Sequence, residues 1–426
     1  MMRAPGNEDA VVIQNGKKAG EPHVITVNCP DRTGVGCDIC RIVLDFGLYI
    51  KKGDVTTDGV WCYIVLWVIP HYDHLKLRWS HLKTQLVSVC PSCPTYFVLN
   101  LMSPSPTSTP VYLLNFFCLD RTGLLHDVTQ VLTELELSIQ SVKVTTTPDG
   151  RVLDLFFITD NLDLLNTKKR QEETLEKFRS VLGESCLSCE LKLAGSEYEY
   201  HQNTPSLSPP VAEELFMSEQ QLTDEEDNRA QALSDDMIKK LKNSSVVTVD
   251  NSFSPSHTLL QIRCVDHRGL LYDVLRTLKD FDVKISYGRF LPQTQGCKDI
   301  ELFVQRDGKK MVDIDEQRSL CSRLKAEMLH PLRVIITNRG PDTELVVANP
   351  VELSGKGRPR VFYDVTLSLK VLGICVFSAE IRRYRASDRE WEVYRFLLDE
   401  NCSFQLGSAS ARNEIANKVR RTLMGW

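Results

Sequence analysis

No apolar run in this chain approaches the roughly 18 residues that a membrane-spanning helix needs. The longest, VWCYIVLWVIP at 60–70, is rich in β-branched and aromatic residues and reads as a buried strand. The first residues, MMRAPGNEDA, lack an apolar signal core, and Glu8 and Asp9 argue against an organelle transit peptide. No membrane partner is expected, and the cytoplasm, with the nucleus as a second location, is the expected compartment. Basic charge is short as well. The chain has 51 Lys and Arg against 56 Asp and Glu, a net charge of −5, which leaves no broad attraction for nucleic acid. Also missing are a Walker-type phosphate loop, a dinucleotide Gly fingerprint, a nucleophile elbow and a metalloprotease His pair. Nothing argues for an enzyme, and no cofactor is implied.

Cysteine, by contrast, is plentiful. Fourteen residues without a signal peptide imply reduced thiols. Cys37/Cys40, Cys90/Cys93 and Cys186/Cys189 have Cys-x-x-Cys spacing. The pairs are too far apart along the chain for a four-thiolate zinc site, and small buried thiols are the expectation. His71, His74 and His81 lack a carboxylate or Cys at ligand spacing, so no metal is expected there.

What the chain has is repetition. CPDRTGVGCDI at 29–39, CLDRTGLLHDV at 118–128 and CVDHRGLLYDV at 264–274 share the frame Cys-x-Asp-x-x-Gly and a second Asp. GKGRPRVFYDV at 355–365 is a weaker fourth copy that keeps the apolar positions and Asp364. It lacks the first Asp, and Arg360 takes the place of the Gly.

Each motif follows a strand-like run, HVITVNC, VYLLNFFC or HTLLQIRC, and precedes a helical period. In the second copy the helix stripe is Leu124, Leu125, Val128, Val131, Leu132 and Leu135. Two further strands around a turn come next, as at Pro148-Asp149-Gly150, Asp58-Gly59, Gln295-Gly296 and Ser387-Asp388. A second amphipathic helix follows, and a last strand closes the unit: TYFVLNLM, LSCELKL or LRVIIT. The fold class is therefore α+β, with tandem ferredoxin-like βαββαβ units whose antiparallel sheets carry helices on one face.

The expected division is an N-terminal tail 1–20, unit one 21–105, unit two 110–195, an acidic and Pro-rich linker 196–245, unit three 246–338 and a degenerate unit four 342–426. A short helix near 211–217 is expected inside the linker. The linker separates two pairs of copies, one with two and three with four. The fourth copy ends without a closing strand. VVIQ at 11–14 either fills that edge or, the preferred reading, extends the first copy's own sheet.

Strand, Asp-x-x-Gly, helix has a chemical meaning. Unpaired N–H groups and the positive dipole end favour a carboxylate, Gly permits close approach, and the Asp can hold an ammonium. The candidate ligand-binding residues are thus Asp31, Gly34, Asp120, Gly123, Asp266 and Gly269. Against this, an Asp before a helix also caps it and a Gly also turns the chain, and these alternatives stand level. Asp38, Asp127, Asp273 and Asp364, present in all four copies, are expected to serve the helix itself. His126 next to Asp127 is not repeated in the other copies and reads as a solvated helix residue.

The Asp-Arg-x-Gly-Leu-Leu-x-Asp motif in a βαββαβ unit resembles the ACT domain. Four such units without a catalytic domain resemble the plant ACT domain-repeat family, over nearly the whole chain. The resemblance implies a regulatory protein that binds a free amino acid where units meet and signals its level to an unidentified protein partner. It is similar in this to units of bacterial uridylyltransferases, which sense glutamine. A homodimer through the ACT sheets is a further expectation. The alternative is an interaction scaffold built of the same units. RNA binding shares the strand order but needs a basic-aromatic strand, and RVLDLFFIT and CKDIELFVQ are apolar or acidic. Basic charge gathers only at KGRPR (356–360) and IRRYRASDR (381–389), a solvated face or a weak nuclear signal.

Overall fold

The computed structural model describes residues 10–18, 20–71, 77–90, 110–160, 164–195, 207–216, 245–293, 296–352, 355–386, 389–399 and 406–426. The first copy contains β1 (Val11–Gln14), β2 (His23–Pro30), α1 (Val35–Asp45), β3 (Leu48–Thr57), β4 (Trp61–Pro70) and α2 (Trp79–Val89). The second runs β5 (Tyr112–Leu119), α3 (Leu124–Glu134), β6 (Leu137–Thr146), β7 (Arg151–Asp160), α4 (Lys168–Leu182) and β8 (Cys186–Leu193). In the linker lies α5 (Pro209–Phe216). The third copy has β9 (Val246–Asp250), β10 (Thr258–Val265), α6 (Leu270–Asp280), β11 (Val283–Pro292), β12 (Cys297–Arg306) and α7 (Ile314–Leu329). The fourth has β13 (Arg333–Arg339), β14 (Asp342–Pro350), α8 (Val361–Val371), β15 (Val376–Ala386), β16 (Arg389–Leu398) and α9 (Ala409–Met424).

The two helix classes start differently. The second helices α4, α7 and α9 are capped by the side chains of Thr167, Asp313 and Ser408, which accept bonds from first-turn amides. The motif helices α1, α3 and α6 begin at Gly34, Gly123 and Gly269 in the left-handed conformation, with no side-chain cap bond. Asp31, Asp120 and Asp266 stand three residues before these glycines, and the Asp120 carboxylate accepts a bond from the backbone N–H of Arg121.

Two eight-stranded sheets form, in the orders β1-β2-β4-β3-β11-β12-β10-β9 and β13-β14-β16-β15-β6-β7-β5-β8. The expected partnership of copies is thereby corrected. The first copy joins the third through β3 and β11, and the second joins the fourth through β15 and β6. Each pair is a compact unit with its own core. Edge strands also depart from expectation. LRVIIT does not close the third copy; as β13 it pairs with β14 and supplies the fourth copy's missing edge. The third copy takes β9 instead, and the first takes β1 from within the expected tail, the preferred of the two readings of VVIQ. Among the described residues, the closing strand follows in sequence in the second copy alone, as β8 beside β5. TYFVLNLM and the Ser387-Asp388 turn lie outside the described residues. In each case the edge strand lies antiparallel to the strand before the motif, so its place in space is kept while its place in sequence moves.

The fourth copy, degenerate in its motif, keeps the fold's geometry. One residue is skipped in the register of β3, β6, β11 and β15, at Lys51, Gln140, Ser286 and Phe377, always the same distance beyond the helix start. Such a bulge twists the strand as it leaves the helix. Along β14 and β16 the side chains alternate. Leu345, Val347, Tyr394 and Phe396 enter the core beneath the helices, and Val346, Ala348, Trp391 and Val393 face the other way. The linker helix α5 covers that second face with Leu215, and Phe216 stacks on Tyr384 at 5.4 Å. Two prolines at its start suit a helix N-terminus, where a missing N–H costs nothing.

Candidate ligand site at the motif helix N-termini

In the first three copies the Asp N–H bonds back to the hairpin turn: Asp31 to Val60 O (2.8 Å), Asp120 to Gly150 O (2.9 Å) and Asp266 to Gly296 O (2.9 Å). The chain then reverses through the Gly at φ of 84°, 79° and 85°. That conformation costs a residue with a Cβ about 1–2 kcal/mol. The fourth copy bears the strain, since Arg360 sits at φ 65°. Backbone conformation thus accounts for much of the glycine preference.

Close approach accounts for the rest. A Cβ on Gly34 would stand 2.6 Å from Lys279 Cε, and one on Gly123 would stand 2.9 Å from Lys370 Cγ. These lysines occupy the last turns of α6 and α8, in the partner copies. Lys279 reaches Asp38 at 3.3 Å, and Lys370 reaches Asp127 at 2.7 Å. Arg32 and Arg121 pair with the same carboxylates at 2.5 and 2.6 Å. Although burial opposes it, bonds from Lys370 and Arg121 hold Asp127 below the usual carboxylate range. The second Asp of the motif thus sits in a helix first turn, favoured by the dipole, and in the first two copies it also ties copy to copy.

The three first aspartates have different surroundings. Asp31 accepts a bond from Thr57 Oγ1 at 2.8 Å. Asp120 lines a recess between the second and fourth copies, with Arg121, Gly123, Asp154, Lys370 and Cys375. Asp154 comes from β7 and is 1% exposed, and its Oδ1 has no hydrogen-bond partner among the described residues. It stands on the core-facing side of the strand, between Val152 and Phe156. The residues at its place in the other copies are Ile64, Ile300 and Tyr394. Loss of hydration, and then the charge of Asp120, push the Asp154 carboxyl well up. Burial, and then Asp399, raise Asp120 as well. Two carboxylates in a poorly solvated site call for a shared proton or a cation.

The same recess is lined by Gly123, Leu124 and Leu125 at the start of α3, by Arg121, and by Lys370 from α8. Carboxyl groups and cationic side chains thus line one recess, a combination that suits a zwitterion. The space open to the centre of a water molecule is about 20 Å³, and one water needs roughly 10–15 Å³. A larger guest requires the Lys370 stem to move, and that side chain is 41% exposed.

At the third copy the corresponding carboxylate is already engaged. Lys298, 2% exposed, places Nζ 3.1 Å from Asp266 Oδ1 and 2.8 Å from Ile50 O. Tyr49 donates its hydroxyl to Asp266 Oδ2. In the fourth copy, Asn349 Nδ2 donates to Glu392 at 3.1 Å and to the Arg358 carbonyl at 3.0 Å, beside the Tyr394 hydroxyl.

Several expectations need revision. His126 is not solvated: it is 4% exposed, 4.9 Å from the Tyr363 ring and 3.4 Å from Thr366 Oγ1. The basic run of the fourth copy is largely paired within its own unit. Arg382 meets Glu380 at 2.9 Å, Arg383 meets Glu392 at 2.9 Å, and Arg358 donates to Leu423 O at 3.0 Å. Asp154, Lys298, Lys279, Lys370 and Tyr49 escaped sequence reasoning. Asp154 and Lys298 left one signal, a charged residue at an inward position of an alternating strand. Cys37 and Cys40 lie buried in α1, and Cys93 and His74 fall outside the described residues. Among the described residues no helix is long and apolar enough to cross a membrane.

Comparison with known proteins agrees with this architecture. Residues 13–91 match the family model for the N-terminal part of ACT domain-containing protein ACR10, and 112–176 match the ACT domain. Residues 246–342 match the ACR9-like, ACT-like domain, and 343–425 match the C-terminal part of ACT domain-containing protein ACR9. The chain is 58% identical to ACT domain-containing protein ACR9 of Arabidopsis thaliana over 421 residues, 99% of each chain. It is 48% identical to ACT domain-containing protein ACR10 of the same plant over 429 residues, again 99% of each. A solved aspartate kinase from Synechocystis is 13% identical, with a TM-score of 0.28 over 73% of this chain and 55% of that one. The chain belongs to the plant family of ACT domain-repeat proteins.

Proposed function

We propose that this protein is a non-catalytic amino-acid sensor that binds its ligand in the recess of the second copy and passes its occupancy to a protein partner. The observation that carries the reading is Asp154: a carboxylate with an orphaned oxygen, buried beside Asp120 and facing a helix N-terminus. A ligand ammonium placed between Asp120 and Asp154 takes the place of the proton that burial favours on Asp154. Its carboxylate takes the amide groups at Gly123 and the charge of Lys370. Lys370 then turns from Asp127 toward the ligand, which changes a bond between copies two and four. A ligand favouring one arrangement of the two copies shifts their population, and that is the signal. The side-by-side sheet pairing that a homodimer would provide is already made within the chain. A cytoplasmic and nuclear location fits this role.

Thermal unfolding against each of the twenty amino acids at millimolar concentration tests the reading. At a hundredfold excess over Kd, binding adds about 2.7 kcal/mol. A selective rise that Asp154→Asn abolishes is the expected result. No rise with any amino acid would turn the interpretation toward a scaffold.

A further inference from the structure

The cross-strand register places Lys298 opposite Cys264 on the rung that Val152 occupies opposite Cys118 in the second copy and Cys62 occupies opposite Cys29 in the first. On this rung the third copy carries an ammonium and the second an uncharged valine. The next inward rung reverses the contrast, with Asp154 in the second copy and Ile300 in the third. One copy thus holds a second buried carboxyl, and the other holds an acid with its own cation.

We propose that Lys298 is a resident substitute for the ligand's ammonium: it fills the position beside Asp266 that is left for a ligand beside Asp120, so the chain takes up one amino acid, at its second copy, although the third copy's recess, lined by Tyr49, Gly269 and Lys298, has the same open space of about 20 Å³. The proposal rests on the amino-acid-binding reading given above. The contacts of Lys298 are those a bound primary ammonium would make: a carboxylate oxygen at 3.1 Å, a carbonyl at 2.8 Å, and the Tyr49 ring with its centre 5.2 Å away. A lysine stays charged when buried only if such partners are supplied. Because the ammonium is tethered to the chain, a free ligand competes with it at a great disadvantage. The first copy has neither device, for Asp31 takes the Thr57 hydroxyl and its rungs carry Cys62 and Ile64.

The test uses the full chain with Lys298→Ala and, should that variant fold poorly, Lys298→Val, which installs the second copy's residue. Melting temperature is measured in methylammonium chloride against sodium chloride at equal ionic strength, with tetramethylammonium as a cation that cannot donate hydrogen bonds. The variant should regain several degrees in methylammonium alone. The wild type and the Lys298→Ala, Asp266→Asn double variant should not. Equal responses in all of these overturn the assignment of Lys298. Calorimetry with the amino acid found by thermal shift should give one site per wild-type chain, lost in Asp154→Asn and kept in Asp266→Asn. Two sites in the wild type, or loss in Asp266→Asn, overturn the proposal. Methylammonium rescue with no amino acid bound would refute the sensing function while leaving the role of Lys298 in place.

Discussion

Lys370 and Asp127 belong to different copies of the repeat and meet at 2.7 Å; Lys279 and Asp38 repeat the relation at 3.3 Å in the other unit. In both, a lysine in the last turn of one helix reaches the first turn of its neighbour. Negative charge suits a helix start and positive charge a helix end, so each pair is favoured by both dipoles. The lysine stem also covers the glycine at the helix start, where a ligand carboxylate would go.

Lys370→Met tests whether this cover is removable. The lysine is 41% exposed and Asp127 keeps Arg121, so the loss should be about 0.5–1 kcal/mol. Urea unfolding measures it. A loss of several kcal/mol would make Lys370 a structural strut and leave the recess closed to ligands.

Gly123→Ala should cost more. The left-handed conformation contributes about 1 kcal/mol, and the collision with Lys370 at 2.9 Å adds to it. Combining it with Lys370→Ala should recover the collision part and leave the backbone part. Additive losses in a double-mutant cycle would show that the two positions do not meet.

Asp154→Ile should stabilise the ligand-free protein at neutral pH by about 1–3 kcal/mol, because an orphaned buried oxygen is replaced by the residue used at Ile64 and Ile300. It should also abolish ligand binding. Such an exchange of stability for binding marks a residue kept for function. A destabilised variant would show that Asp154 is held by contacts in the native fold.

Ligand affinity should rise with pH. Burial and the charge of Asp120 raise the Asp154 carboxyl, so above the ordinary 3.8 the folded protein still holds a proton there that the unfolded chain has lost. A ligand ammonium must displace that proton, and binding is weakest where the proton is held most tightly. By the same linkage the ligand-free fold loses stability as pH rises from 3.8 through the raised value. Calorimetry across pH 5 to 8 in buffers of different ionisation enthalpy should detect proton release. Binding without proton release would place the ammonium elsewhere.

His126 acts in the opposite direction. Burial, and then Lys370, push it down to about 4 from 6.5. Between these values the unfolded chain binds the proton and the folded protein does not, so stability falls as pH drops from 6.5 toward 4. His126→Gln should remove that part of the acid sensitivity, measured as the slope of melting temperature with pH. An unchanged slope would assign it to other groups.

Two local patterns made much of the fold legible. The period changes from two to 3.6 after each motif glycine, and turn residues at Asp58-Gly59 and Pro148-Asp149-Gly150 mark the hairpins. The short helix expected in the linker near 211–217 lies at Pro209–Phe216. The site was readable only in part. Asp120 and Gly123 announce themselves by repetition, whereas Asp154 and Lys298 are single residues whose meaning depends on what lies across the sheet. His126 misled because a ring packed between α3 and α8 has no distinguishing sequence context.

The sequence by itself determined four units, their helices and hairpins, and the turn at Gly34, Gly123 and Gly269 before three of the motif helices, because these depend on residues close together along the chain. Tertiary structure decided which copies pair, which strand closes each edge, and which motif has a second buried carboxyl beside it. A strand edge carries the same alternating pattern whichever neighbour it will meet, and loop closure over long connections discriminates little between partners. The pairing of copy one with three and two with four is therefore set by the packing of β3 on β11 and β15 on β6, and by the helices that follow them into the two cores.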